Sequence, residues 1–406
     1  MGRNRARGDW MHFNREELKG FSCYYPILLI VIISFILRMY LRSNYLDDWD
    51  SIQFALAIDD YSIVAHQPHP PGYPVYIFLA RLIHLAIPSV TDSLIYLSIL
   101  FGTLSVIAIY LLAKKFFGES VGVMAALMLS FTPAHLKFSD VAMSDIVSLF
   151  FIIFTVYLLY NSTFSREYLY LGSISLGITI GIRQTDVLLI PIYLIFLFAR
   201  RNDLRTCILS IVLFFISICT WLFPTILDTG LNTFVEMQRI QGTYAANSST
   251  LNLLGGLSLG NLAETLRQFV ILLISGWSIS LLPFFAITVL YFVYNRHKIL
   301  KKCMDVRLLT LACWILAYVS FSIFCYQLYI VRYLLPIFPA LAIVISYALV
   351  KLILSPPKIL SRSLLAAIII ACLVIMGSQA VANGYLLHIS KPAPVLASDY
   401  IKEHFL

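Results

Sequence analysis

Just past its first long apolar run the chain reads Asp47-Asp48-Trp49-Asp50-Ser51-Ile52-Gln53-Phe54. A short way on it reads His66-Gln67-Pro68-His69-Pro70-Pro71-Gly72-Tyr73-Pro74-Val75-Tyr76. Carboxylates gathered beside an apolar run are candidates for proton transfer or cation binding. A histidine pair next to a turn stiffened by prolines suggests a shaped anion pocket rather than a slack linker. The plainer alternatives are an N-cap, with Asp50-Ser51 opening a helix over 52–58, and solvated loop acids at Asp47 and Asp48.

The rest of the chain says where this segment sits. Of 406 residues, 60% are hydrophobic and 12% charged, against about 25% charged in soluble domains. Apolar runs near the length of a bilayer crossing recur along the sequence, so the chain reads as an all-α polytopic membrane protein. The alternating short segments of a β-barrel are missing from the pattern, and no polar stretch is long enough for a separate soluble domain. The positive-inside bias accounts for the net charge of +8 without nucleic acid. The seven cysteines are odd in number, lack metal-ligand spacing and sit mostly in apolar runs, where they read as small buried hydrophobes.

Eleven spans are expected, at about 24–41, 94–113, 120–133, 146–161, 168–181, 187–199, 206–227, 268–294, 308–331, 333–350 and 363–386. The stretch 73–88 is apolar but short and carries Arg81 and His84, so it reads as an interfacial helix. Charge supports that choice. With 73–88 outside the bilayer, the N-terminus and five turns (114–120, 161–167, 200–205, 295–307, 351–362) fall on one side with nineteen of the twenty-nine Lys and Arg. The N-terminus is then cytoplasmic and the C-terminus external. The run 21–41 reads as an uncleaved signal anchor.

This topology divides the chain into a basic cytoplasmic segment 1–23, a membrane domain 24–386 and a short external tail 387–406. Within the membrane domain, 42–93 is an external catalytic loop with interfacial helices near 50–59 and 73–87. Residues 228–265 form a second external loop, rich in Asn, Ser, Gly and Thr, with a formal glycosylation sequon at Asn247. Asp47, Asp48, Asp50, His66, His69, Lys137, Asp140, Asp145, Arg183, Asp186, Arg239 and Arg332 all land at the external face. Ionisable groups collected at one face, with few in the spans, argue for an interfacial site over an ion path.

The sequence also resembles a family. Asp50-Ser51-x-x-Phe54-Ala55 followed by His69-Pro70-Pro71-Gly72-Tyr73-Pro74-x-Tyr76 is similar to the first external loop of GT-C superfamily glycosyltransferases, in the protein O-mannosyltransferase and aminoarabinose transferase branch. Lys115-Phe116-Phe117-Gly118, Phe131-Thr132-Pro133, Val141-Ala142-Met143-Ser144-Asp145, Gly177-Ile178-x-x-Gly181-x-Arg183 and Arg332-Tyr333-Leu334-Leu335-Pro336-x-x-Pro339 follow in the family's order. Ser51 and Gln53 stand where relatives often carry acids, and His69 where the aminoarabinose transferases have Lys.

The resemblance implies a GT-C-like fold. It further implies transfer of a sugar, a hexose such as mannose, from a polyprenyl-phosphate donor to an acceptor hydroxyl on a protein, glycan or lipid, at the outer face of the plasma membrane and with inversion. Asp50 would be the general base, with Asp48 and Asp145 as further catalytic acids. His69, Arg183, Arg332 and Tyr333 would meet the donor phosphate. A divalent ion could bridge Asp50 and Asp145, but none is expected to be required. For Arg183 and Arg332 the structural alternative is snorkelling from helix ends, for Lys137 and Asp140 an exposed pair, and for Asp145 a helix cap. A transporter or flippase, or a non-catalytic scaffold of the same fold, are the competing functions.

Overall fold

A computed structural model describes residues 15–296, 305–356 and 361–405. Most of the basic segment expected at 1–23 lies outside these residues, as do the basic turn 298–302, Cys303 and Lys358. The described chain is helical, with one isolated bridge between Ser62 and Gln67. Its helices are α1 (Arg15–Leu41), α2 (Trp49–Asp59), α3 (Pro74–His84), α4 (Val90–Phe117), α5 (Glu119–Ser130), α6 (Pro133–Ser139), α7 (Ser144–Asn161), α8 (Glu167–Ile182) and α9 (Ile190–Ala199). They continue as α10 (Leu204–Thr229), α11 (Leu231–Asn247), α12 (Thr250–Leu253), α13 (Leu259–Trp277), α14 (Leu281–Tyr294), α15 (Val306–Cys325), α16 (Phe338–Leu354), α17 (Arg362–Ile389) and α18 (Ala393–Phe405). Tight 3-10 segments, Gln184–Leu189 and Val331–Ile337, lead into α9 and α16.

Among the described residues six helices have the length and apolar composition to cross a membrane, and up to eight if each of two bent pairs is one span. At two further expected positions the helices Glu167–Ile182 and Gln184–Ala199 are shorter, and α1 runs through the first, 24–41. The two helices expected in the first loop are present as α2 and α3. Two departures have local causes. The single span expected at 268–294 is α13 and α14 meeting at 107°, because Ser278 takes φ 124 and the chain turns before Pro283. The segment 228–265 carries α11 and α12 rather than irregular coil.

α4 is the central helix, packed on α1, α5, α6 and α7 and buried along most of its length. Small residues let helices approach where no water drives them together. On α8, a Cβ at Gly181 would stand 2.5 Å from Val75 and 2.7 Å from Trp221, whose Nε1 donates to Gly177 O at 2.9 Å. The Gly177…Gly181 spacing thus seats α8 on α10 and on the start of α3, which places Arg183 at the end of α8.

Candidate active site

The first loop enters the site through α2. Asp48, not Asp50, is its N-cap: the Asp48 side chain accepts from Asp50 N at 3.4 Å. That excludes the alternative of a cap at Asp50-Ser51 and leaves Asp50, in the first turn, free to point elsewhere. Arg332, from the Val331–Ile337 segment, reaches it. Nη2 donates to Asp50 Oδ2 at 2.6 Å and Nη1 to Asp48 Oδ2 at 3.2 Å. Arg332 is only 8% exposed, so the snorkelling alternative does not describe it. Its guanidinium lies 5.4 Å from the centre of the Tyr333 ring, which stacks on Tyr326 at 4.2 Å.

A second pair forms from distant elements. Arg183, just past α8, donates to Asp145 Oδ1 in the first turn of α7. Both are largely buried, so Arg183 does not snorkel either. Asp145 does not cap α7, which starts after Met143. Asp145 Oδ2 and Arg332 Nε have no hydrogen-bond partner. Met143 Sδ, on the loop before Asp145, accepts from Ser51 Oγ at 3.3 Å and Arg332 Nη1 at 3.6 Å, tying the two acidic segments together.

His69 completes the wall. Its Nδ1 lies 2.5 Å from Gln53 Oε1 and 3.8 Å from Asp50 Oδ1, and its Nε2 lies 3.0 Å from the Tyr73 hydroxyl. Burial holds the imidazole below its ordinary pKa. Asp50 opposes that shift, and Arg332 and Arg183 reinforce it. Burial also pushes the Tyr73 hydroxyl up. Tyr73 takes a left-handed backbone, φ 46, directly after Gly72 at φ 102. A Cβ at Gly72 would come within 2.6 Å of Ile63 and Tyr61, so only glycine lets the turn close there.

Asp50, Asp145, His69, Arg183, Arg332 and Tyr333 line one cavity of about 610 Å³. Asp48 instead borders a second cavity of about 540 Å³, which also touches Arg332 and holds Asp47 and Lys137. There burial raises the Asp47 carboxyl to about 6, while Ser43 and Lys137 pull it down. His66 is at the first cavity and Arg239 is exposed, paired with Glu236. Asp186 is buried, accepting from Ser148 Oγ at 2.5 Å and from the Tyr318 hydroxyl at 3.1 Å. Asp140 is fully buried, which excludes the alternative of an exposed pair with Lys137. Among the described residues no group of three or more His, Cys, Asp or Glu is placed to hold a metal ion.

Several wall residues escaped sequence reasoning. Gln53 sits one helical turn from Asp50, a spacing that puts both on one face. Tyr326 had no signal of its own. Ile240, Gln241 and Tyr244 of α11 close the cavity from a segment whose composition resembles an ordinary loop.

Comparisons with known proteins bear on the fold. A family model described as dolichyl-phosphate-mannose-protein mannosyltransferase matches residues 68–223, a stretch that includes His69, Asp145 and Arg183 and stops short of Asp50 and Arg332. The oligosaccharyltransferase of Archaeoglobus fulgidus, tethered to an acceptor peptide containing the NVT sequon, is similar in structure with a TM-score of 0.62 at 15% identity, over 95% of this chain and 58% of that one. ArnT from Cupriavidus metallidurans, bound to undecaprenyl phosphate, is similar with a TM-score of 0.56 at 14% identity, over 89% of this chain and 75% of that one. This chain has the GT-C fold. A further structure of the archaeal oligosaccharyltransferase AglB, with an inhibitory peptide and a dolichol-phosphate, matches this chain with a TM-score of 0.58 at 14% identity, over 94% of the chain and 58% of AglB. The chain therefore spans under two thirds of the length of the oligosaccharyltransferase. No curated protein matches it by sequence.

Proposed function

We propose that the chain is a glycosyltransferase that moves a sugar, a hexose such as mannose, from a polyprenyl-phosphate donor to an acceptor hydroxyl on a protein, glycan or lipid, at the external face of the membrane. The observation that carries this reading is the convergence of Asp50, Asp145, Arg183 and Arg332, drawn from four separated segments, on one cavity. The matches to a mannosyltransferase family and to structures holding dolichol-phosphate and undecaprenyl phosphate agree with it. A largely apolar cavity of about 820 Å³, lined by Pro74, Val75, Ile77 and Phe78 of α3, gives a lipid tail somewhere to lie.

In the reaction the acceptor oxygen attacks the anomeric carbon and Asp50 takes its proton. The bond from that carbon to the phosphate oxygen breaks, its electron pair leaves with the lipid phosphate, and configuration inverts. Arg332 and Arg183 stabilise the charge that develops on the phosphate. Planar guanidiniums suit that task. Asp48 fixes the α2 start and shares Arg332; Tyr333 and His69 shape the same wall. In this reading the two guanidiniums supply the positive charge at the phosphate, and no divalent ion is required.

In this reading 42–93 and 228–265 are external, 1–23 is cytoplasmic, and the protein resides in the plasma membrane. The test is a donor screen with purified protein and labelled polyprenyl-phosphate sugars. Transfer from at least one, insensitive to EDTA, is expected. Purified, lipid-reconstituted protein that transfers none of them while still transporting a lipid or solute would replace this function with the flippase one.

A further inference from the structure

We infer that Gln53 fixes His69 as the neutral Nδ1–H tautomer, so that Tyr73 gives its proton to His69 and presents an oxygen lone pair to a hydroxyl-bearing ligand in the cavity. Gln53 is thus a positioning residue, and the ligand group it selects is a hydrogen-bond donor. The tautomer rests on geometry alone; the identity of the ligand as a sugar or acceptor hydroxyl rests on the proposed glycosyl transfer.

The hydrogen bonds have one consistent direction. The His69 backbone N–H, which can only donate, reaches Gln53 Oε1 at 3.3 Å. That atom is therefore the amide oxygen and has no proton to give. The same oxygen lies 2.5 Å from His69 Nδ1, so Nδ1 must carry the hydrogen. In a neutral ring Nε2 is then bare, and at 3.0 Å it accepts from the Tyr73 hydroxyl. A phenol that has committed its only proton meets any further partner as an acceptor. Ring packing holds the chain of bonds in place. Phe54 stands edge-on to Tyr73 at 5.1 Å and lies 6.0 Å from His69, and the His69 and Tyr73 rings are 5.0 Å apart.

The charged groups facing the imidazole explain why it stays neutral. Asp50 on α2 favours the cation, but at 3.8 Å its contact is beyond hydrogen-bond length and its other oxygen is taken by Arg332. Arg183, Arg332 and His66 all oppose a charge on His69, as does burial. A glutamate at position 53 would tip this balance; a glutamine cannot. The consequence for the site is that its cations are Arg183 and Arg332, with His69 acting as a relay that aims Tyr73.

The experiment is nitrogen-15 NMR of the full chain, labelled at histidine and held in lipid nanodiscs, with His69 assigned by its loss in His69→Asn. At pH about 6.5, where an ordinary histidine is half charged, His69 should be neutral with the proton on Nδ1. Gln53→Glu should turn it into imidazolium at about pH 7. Gln53→Met, similar in length and without an acceptor, should lose the single tautomer while the ring stays neutral, and it serves if the glutamate variant fails to fold. An Nε2–H tautomer, a half-charged ring at that pH, or unchanged spectra in the variant that folds would overturn the inference. In the transfer assay, Tyr73→Phe should raise KM for one substrate about tenfold, the loss of one hydrogen bond, with kcat little changed. An unchanged KM for both substrates would remove Tyr73 as a ligand contact. A chain that transfers no sugar would sink the transferase reading and leave the spectra, and hence the tautomer, standing.

Discussion

Two clusters in this protein have the same ingredients and opposite settings. One is the cavity, where Asp50, His69, Asp145, Arg183 and Arg332 meet around about 610 Å³ of open space. The other is sealed between α1, α4 and α6. Arg38 is wholly buried and donates to Ser34 O and His135 Nδ1 at 2.9 Å each; His135 Nε2 meets Ser105 Oγ at 2.7 Å, and neither carboxyl oxygen of Asp140 has a hydrogen-bond partner among the described residues. An arginine, a histidine and an acid thus appear in both. What separates them is access. The open cluster can exchange partners with a ligand, while the sealed one can only hold helices together. The backbone links them, since Ser43 N donates to Asp140 O at 3.0 Å and so ties the acidic first loop to α6.

The largest expected effect tests the open cluster. Asp50→Asn keeps volume and removes proton acceptance, so transfer should fall by about two to four orders of magnitude while donor binding survives. His135→Asn, in the sealed cluster, should leave the rate per folded molecule within a few-fold. Equal losses of turnover in the two variants would erase the distinction.

Stability should respond the other way. Arg38→Met strips the buried His135 Nδ1 and Ser34 O of their guanidinium donor and should cost about 1–3 kcal/mol, the range for leaving a buried polar group unsatisfied, read as a fall in melting temperature in detergent. A melting temperature like that of the unmodified protein would mean that the sealed cluster is not structural.

Arg332 belongs to both categories and sharpens the contrast. Arg332→Ala should weaken donor binding by roughly 1.5–3 kcal/mol. Because it is buried against Asp50 it should also lose stability, which a snorkelling arginine would not. Arg332→Lys should restore the melting temperature better than the affinity, because an ammonium lacks the bidentate fork. Unchanged affinity in both variants would move the phosphate to Arg183.

The smallest effect is at Asp47. Its folded pKa, about 6, lies above the ordinary carboxylate value, so the folded state holds the proton more tightly than the unfolded chain. Asp47 therefore lowers stability progressively as pH rises through the window between the two values. Asp47→Asn removes that penalty. Its melting temperature should match the parent at about pH 4 and exceed it by a growing margin up to about pH 6. A constant difference across that range would show that Asp47 is not desolvated.

Much of this was legible in the sequence because it depends on local chemistry. Apolar runs marked the helices, and the two expected between 42 and 93 are there as α2 and α3. The Asp50, His69, Asp145, Arg183 and Arg332 motifs pointed to groups that do share a wall. What escaped depends on long-range packing. Nothing local distinguishes Arg332 at a helix end from Arg332 buried between two carboxylates, or Asp140 in a turn from Asp140 sealed beneath α1. The cap at Asp48 was hidden because three nearby acids can all cap. The break at 278–280 was hidden because Ser278 and Ser280 sit in an otherwise continuous apolar run. Gln53 read only as an acid not present, since its partner His69 is sixteen residues away.

The most direct test of the central claim is a structure of the purified protein with a polyprenyl phosphate bound. The account predicts phosphate oxygens within hydrogen-bond distance of Arg332 and Arg183, in the cavity that holds Asp50. A phosphate seated beside Lys137 and Asp47 in the neighbouring cavity, with both arginines still locked to their acids, would contradict it.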